Sequence, residues 1–229
     1  MALKQLTIYF LLIGLVISCN LRPPRIWPPP PQLHSLEGYA SLSIKNSQQT
    51  VRSKFSFFFY FPGDGLLDVS NFLGRTLYQI IITQKRAFFL VPSKKIYWQG
   101  EEEEIIDKFL GFRLNVYELM ALLSGQWTKI EIAKEGGNWR QEWLFEKDKQ
   151  GRIVSGRRGQ LEFEVQEFFK NTSVIRRLVF HHPWNSGHLK ILSLRFNQPL
   201  KKQLFSLALL SHYQQKSWAE IEKILNEKS

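Results

Sequence analysis

Apolar residues recur at every second position through most of the chain from Leu36 onward, and no other feature restricts the fold as strongly. Side chains two residues apart share one face of an extended strand, so this period predicts β-structure. In LEGYASLSIK, Leu36, Gly38, Ala40, Leu42 and Ile44 share a face; in VRSKFSFFFYF, Val51, Phe55, Phe57, Phe59 and Phe61 lie opposite Lys54, Ser56, Phe58 and Tyr60. The polar stretch from Asn46 to Gln49 joins the two as an antiparallel hairpin. LLDV, TLYQIIITQ, AFFLVP and KKIYWQ extend the meander, with turns at Gln84-Lys85 and Pro92-Ser93. After Trp127 the period returns in NWRQEWLFE, where Trp139, Gln141, Trp143 and Phe145 alternate with Arg140, Glu142 and Leu144. GRIVSG, QLEFEVQEF, VIRRLVFHH and HLKILSLRF follow, and NQPLKKQLFSLAL is a candidate last strand.

Between the two strand blocks the period changes. In EEEEIIDKFLG, Ile105, Ile106, Phe109 and Leu110 fall on one helical face, and Gly111 is a C-terminal stop. Its glutamates complement the dipole of a first helical turn; a divalent-metal site is the sharper alternative. NVYELMALLSG starts a second helix at Asn115, with Glu118 three residues on as a capping box. Val116, Leu119, Met120 and Leu123 form its apolar stripe, and Gly125 ends it. SWAEIEKILNEK predicts a closing helix, with Ser217 and Glu220 as a second capping box.

About ten short strands at regular spacing, with helices inserted mid-chain, predict a mainly β (α+β) domain, either a barrel or a strongly curved antiparallel sheet. The 229 residues, 44% hydrophobic and 14% aromatic, are enough for one domain with a real core. Several strands are apolar on both faces. One face would line an interior; the other would meet helices or a ligand.

The N-terminus divides the chain further. MALKQLTIYFLLIGLVISCN has one lysine, an apolar run from Ile8 to Ile17 and then Cys19, the single cysteine. The run has the length of a signal-peptide core and is short of the roughly 20 residues a membrane span needs. VISC resembles a bacterial lipobox, in which the cysteine is acylated and the chain is cut before it. Residues 1–18 then form a lipoprotein signal peptide, and Cys19 carries a diacylglycerol and an acyl chain of the palmitate type. The bland alternative is a free or buried thiol. With one cysteine a disulfide framework is excluded. NLRPPRIWPPPPQ, with six prolines, forbids helix and sheet and predicts a stiff linker over 19–33, with the folded domain at 34–229. A Pro-rich ligand for another protein is the alternative to a stalk. Asn20 is not the aspartate that marks inner-membrane retention in enteric bacteria, so by analogy the anchor sits at the periplasmic face of the outer membrane. The net charge of +11 fits an anionic partner, and a lipid anchor turns that preference from nucleic acid to an acidic membrane surface.

No constellation proposes catalysis. His181 and His182 are adjacent in a strand and point to opposite faces, so with His188 they make a poor metal site. There is no phosphate loop and no nucleophile elbow, and acylation of Cys19 leaves no thiol. Arg157-Arg158 and Arg176-Arg177 are basic pairs near strand ends, either solvated edges or contacts for anionic headgroups. The chain reads as a non-enzyme with neither metal nor dissociable cofactor.

Three stretches carry a resemblance. LHSLEGYASLSI, with Gly38, resembles a first family strand. NFLGRT resembles Asn-Pro-Leu-Gly-Ser-Thr at Asn71, Leu73, Gly74 and Thr76. KFLGFRLNVYELMALLSG resembles a helix insert at Lys108, Gly111, Leu119 and Gly125. Together with the lipobox and the order of elements they resemble the LolB family of outer-membrane lipoprotein receptors, in the LolA/LolB superfamily. Phe72 stands in place of the family proline, Leu122 in place of a tryptophan, and the tail after Phe196 is longer.

The resemblance implies an unclosed β-barrel with a helical lid and a hydrophobic cavity for acyl chains of lipoproteins or other lipids. It implies a lining of Phe57, Phe59, Ile80, Ile82, Trp98, Ile106, Leu119, Trp139 and Trp143. It also implies a cargo-transfer loop at Phe72, Leu73 and Gly74, a periplasmic LolA-like carrier as partner, a membrane-anchored monomer and no nucleic acid. A carrier of another lipid or glycolipid, a structural envelope lipoprotein and a hydrolase are the alternatives. By turn chemistry alone, Phe72-Leu73 is an anomaly whose default explanation is a tip folded back onto the core; the lipidated stalk and the resemblance at NFLGRT imply instead an exposed wedge aimed at acyl chains.

Overall fold

The computed structural model describes residues 26, 28–45, 50–71, 73–110, 113–126, 143–200 and 202–226. Six strands come first: β1 (Ser35–Lys45), β2 (Thr50–Tyr60), β3 (Asp64–Ser70), β4 (Thr76–Thr83), β5 (Arg86–Val91) and β6 (Ile96–Glu101). Two helices follow, α1 (Glu102–Leu110) and α2 (Val116–Ser124). The second block is β7 (Leu144–Lys147), β8 (Ile153–Arg158), β9 (Leu161–Phe168), β10 (Ile175–His181) and β11 (Ser186–Phe196). A two-residue β12 (Gln214–Gln215) and α3 (Trp218–Asn226) end it. Among the described residues these form one sheet of twelve strands, in the order β12-β6-β5-β4-β3-β2-β1-β11-β10-β9-β8-β7. β1 pairs with β2 on one side and with β11 on the other, so two meanders are welded into one unclosed sheet. The mid-chain helices, the mainly β class and the expected strands through HLKILSLRF are present, except that the first five residues of NWRQEWLFE lie outside the described residues.

Local chemistry explains the elements. Turn residues Gln84 and Lys85 adopt left-handed φ of 51° and 62°, the geometry that closes a tight hairpin with the right twist. Asn115 caps α2: its side chain accepts from the Glu118 amide at 2.8 Å, and Glu118 accepts from the Asn115 amide at 3.1 Å. Ser217 and Glu220 repeat the device at α3.

The last candidate strand is corrected. NQPLKKQLFSLAL forms two short 3-10 turns, Lys202–Phe205 and Ala208–His212, and only Gln214–Gln215 pairs, parallel to β6. Leu200, Leu204, Leu207 and Leu210 recur at intervals of three and four, which suits a coiling segment better than a strand. These side chains, with Phe205 and Tyr213, cover Phe58, Leu66, Ile81, Phe88 and Leu90 on the outer face of β2–β5. Strands apolar on both faces are thereby accounted for: one face meets the helices and the other meets the C-terminal segment. Phe61 is also displaced from its expected face. It lies past the end of β2, is 45% exposed and sets its ring 5.7 Å from that of Tyr117.

The end of the Pro-rich linker lies on the domain. Gln126 donates from Nε2 to the Pro30 carbonyl at 2.7 Å, and Asn197 donates from Nδ2 to the Gln32 carbonyl at 2.9 Å. Ile26 and Leu33 pack against the main core. The signal-peptide residues, Cys19 and the turn at 46–49 lie outside the described residues.

Candidate functional site

The inner face of the sheet is built by the alternate set of each strand: Phe57 and Phe59 of β2, Ile80 and Ile82 of β4, Phe89 of β5 and Trp98 of β6. From the other half come Phe163 and Val165 of β9, Leu178 and Phe180 of β10 and Ile191 of β11. Glycine makes room where rings cross strands: a Cβ on Gly38 would come within 2.4 Å of Phe57 Cζ, so only glycine lets that ring lie flat across β1. Phe57 and Phe59 then stack with centroids 5.3 Å apart.

All three helices contribute to this interior. α1 supplies Ile105 and Ile106, α2 supplies Val116, Met120 and Leu123, and α3 supplies Trp218 and Ile221. The Trp218 ring meets Trp98 and Phe89 edge-on at 5.4 and 5.7 Å.

The structure therefore gathers the lining residues named from sequence. Phe57, Phe59, Ile80, Ile82, Trp98 and Ile106 are buried in one cluster, while Leu119 and Trp143 are half-buried against it. Trp139 lies outside the described residues. The closing of this interior by α3 through Trp218 was missed, although the tryptophan stands directly after the cap of a predicted helix.

An ion pair runs from the second helix to the sheet. Glu118 is 3% exposed and accepts from Arg158 Nη1 and, at 3.0 Å, from Trp143 Nε1. Arg158 also donates to the Arg113 carbonyl, and its guanidinium lies 4.8 Å from the Trp143 ring centroid. The pair joins α2 to β8. Of the arginines read as solvated edges, Arg158 is thus half-buried and paired, while Arg157 stays exposed. Arg176 and Arg177 both reach Glu167, at 2.6 and 3.8 Å. Beside α2, Glu102 accepts from the Val116 amide; burial raises its carboxyl above the usual range, against that hydrogen bond. Glu103 and Glu104 sit with Glu102 in the first turn of α1, where the dipole favours them. Among the described residues no three His, Cys, Asp or Glu side chains converge as a metal site.

A groove of about 690 Å³ runs along β7–β9, lined by Leu144, Glu146, Arg157, Glu162, Glu164 and His181 among others. Phe145, Val154, Phe163 and Val165 share this lining with the carboxylates and the guanidinium, so the groove is mixed in character.

The loop between β3 and β4 is tied into one shape by Asn71, whose Oδ1 accepts from the amides of Leu73 and Arg75, both at 3.0 Å. Gly74 turns the chain with φ +78°, where a Cβ would strain the backbone. Leu73 stands 77% exposed on this turn. It is not folded onto the core. Phe72 lies outside the described residues.

No protein-family model and no curated protein matches the sequence. Solved structures do share the fold. One is a DUF1329 family protein from Desulfovibrio piger, at 9% identity and TM-score 0.51, covering 79% of this chain and 92% of that one. Another is an outer membrane lipoprotein-sorting protein domain from Vibrio parahaemolyticus, at 10% identity and TM-score 0.51, with the same coverage of 79% and 92%. A LolA superfamily protein from Nitrosomonas europaea aligns at 9% identity and TM-score 0.49, over 78% and 92%. At these identities the likeness is one of fold, shared with the DUF1329 family protein and the lipoprotein-sorting domain.

Proposed function

We propose that the chain is a lipid-anchored envelope lipoprotein that takes acyl chains against the concave face of its sheet and passes lipoproteins into the outer membrane. The observation that carries this reading is the concave face itself: aromatic and aliphatic side chains from both halves of the sheet, met among the described residues by three separate helices and a few loop residues. The likeness in fold to a lipoprotein-sorting domain supports it. Transfer needs no covalent chemistry. An acyl chain moves from a LolA-like periplasmic carrier to this interior and on to the bilayer because each step gains apolar burial relative to the last.

The chain's own residues divide the work. Phe57, Phe59, Ile80, Ile82, Trp98, Ile106, Leu119, Trp139 and Trp143 receive the acyl chain. α1 and α2 act as lid, and the Glu118–Arg158 pair holds α2 down until cargo arrives. Leu73, with Phe72 beside it, delivers cargo by entering the acyl region of the bilayer. Cys19, acylated, keeps the monomer at the periplasmic face.

A second reading has an observation of its own. Phe57, Phe59, Ile82 and Trp98 are between 0% and 6% exposed, so the helices must shift before an acyl chain can enter. A structural lipoprotein of an envelope complex requires no such movement. Depletion of the protein in its host, with other lipoproteins followed by membrane fractionation, separates the two. Stranding of lipoproteins away from the outer membrane supports the receptor; normal delivery, with loss of an envelope complex, supports the scaffold. Normal delivery together with lipid bound in native mass spectrometry points to a carrier of another lipid.

A further inference from the structure

Strand direction places the hairpin tips of this sheet in two groups. β1 and β10 end, and β2, β7, β9 and β11 begin, at the same end of the sheet as the β3–β4 and β5–β6 turns. Register fixes the levels. Ser70, the last residue of β3, faces Lys54, which faces Ser41; Lys45, four residues further on, faces Ser186, the first residue of β11. The tips carrying Leu73 and Trp184 therefore lie at the same end, with the β3–β4 tip set back from the β10–β11 tip by about four residues, roughly 13 Å. β2 and β1 separate the two hairpins, which are about 20 Å apart measured along the sheet.

Exposure is sorted the same way. Among the described residues the most exposed large hydrophobics are Leu73 at 77%, Trp184 at 74%, Leu144 at 60% and Val51 at 47%. Leu144 opens β7, paired with Arg157, and Val51 stands at the start of β2, so all four belong to this end; Phe61, at 45%, belongs to the other. Trp184 sits at the apex of the β10–β11 turn, which His182 and Asn185 close with mutual backbone hydrogen bonds of 2.8 and 3.1 Å.

The ends also differ in charge. Exposed Lys45, Arg52, Lys54, Arg75, Lys94 and Lys95 lie on the strand tips and turns of the Leu73–Trp184 end. The opposite end is mixed: Asp64, Glu101 and the first turn of α1 with Glu102, Glu103 and Glu104 stand there with exposed Lys85, Arg86, Lys147, Lys149 and Lys170. Tryptophan prefers the headgroup level of a bilayer, and each lysine or arginine close to an anionic surface adds to the attraction.

We propose that this end of the sheet is a docking rim for an anionic phospholipid bilayer, with the β10–β11 hairpin inserting Trp184 at the headgroup level as a second foothold beside Leu73. The rim deepens the lipid-handling reading and rests on it, since it names the face that meets the target membrane. Two footholds about 20 Å apart fix the tilt of the domain, which one exposed leucine cannot do. The basic tips set the preference for anionic lipid and make docking sensitive to salt.

The test places an environment-sensitive thiol label, one position at a time, on the full acylated chain in vesicles. Trp184→Cys, Leu73→Cys and Leu144→Cys report the rim, and Asp64→Cys reports the opposite end. Vesicles of phosphatidylcholine alone are compared with phosphatidylcholine containing phosphatidylglycerol, each with brominated acyl chains as quencher. The rim predicts quenching at 184 and 144 several-fold above that at 64, stronger on the anionic vesicles and weakened by salt. Quenching at 184 no greater than at 64 overturns the rim. If 73 is then still quenched, the loop reading stands alone; if 184 is quenched and 73 is not, the rim stands and the wedge role of Leu73 falls. A rim label that stays aqueous on both vesicles but is shielded in intact envelopes assigns this end to a protein partner and also overturns the proposal.

Discussion

Arg158→Met is a perturbation whose cost the structure sets narrowly. The Glu118 side chain is 4% exposed and that of Arg158 is 14% exposed, so the pair is largely out of water. Removing the guanidinium leaves a carboxylate held by Trp143 Nε1 at 3.0 Å and the Asn115 amide at 3.1 Å, with no counter-charge in the pair. Breaking a buried pair from one side costs about 3–5 kcal/mol, and the two surviving hydrogen bonds place this case near the lower figure. A domain of ordinary stability, about 5–15 kcal/mol, stays folded under that loss. Urea titration followed by far-UV circular dichroism reads the cost. Glu118→Gln/Arg158→Met should recover part of it, because no uncompensated charge is then buried. Amide exchange should rise in α2 before it rises in β1 and β2, and uptake of a fluorescent fatty-acyl probe should quicken as α2 loosens. A loss under about 1 kcal/mol, or a double variant that merely sums the singles, refutes the view of this pair as a buried latch.

Three further outcomes are expected. Leu73→Glu changes stability by no more than about 0.5 kcal/mol, because the side chain is 77% exposed, yet abolishes delivery of lipoprotein to vesicles; a large drop in melting temperature contradicts the wedge. Hydrogen bonds from the Ser217 amide and hydroxyl, with help from Lys216, hold the Glu220 carboxyl down at about 2. Its folded value lies below its unfolded value near 4.5, so its support of α3 is complete above pH 4.5 and fades as the pH falls toward 2; amide exchange in α3 should show this, and Glu220→Gln should remove it. Metabolic labelling with palmitate should mark the chain and not its Cys19→Ala variant; label retained in the variant removes the anchor from the account.

Much of the fold was legible because period two survives wherever a strand has an inner face. Phe55, Phe57 and Phe59 could be assigned together from spacing alone, as could the caps at Asn115 and Ser217. What spacing could not show was which strands have a covered outer face. Phe58, Ile81, Phe88 and Leu90 reported a second layer, but the segment that forms it carried its signal in a different period, at Leu200, Leu204, Leu207 and Leu210. The Glu118–Arg158 pair was hidden for another reason. Its members are 40 residues apart, and Glu118 already had a local explanation as a capping partner. Leu73 was conspicuous as an apolar residue in a turn, but only the Asn71 hydrogen bonds and its exposure distinguish a presented side chain from a tucked one.

The most direct test of the central claim is photocrosslinking with a diacylated lipopeptide that carries a diazirine in its acyl chain, followed by peptide mapping. The account predicts adducts on the concave face, at residues such as Phe57, Phe59, Trp98, Ile106 and Leu119, and their loss when unlabelled lipopeptide competes. Adducts confined to the outer surface and the β7–β9 groove, or none that competitor displaces, contradict it.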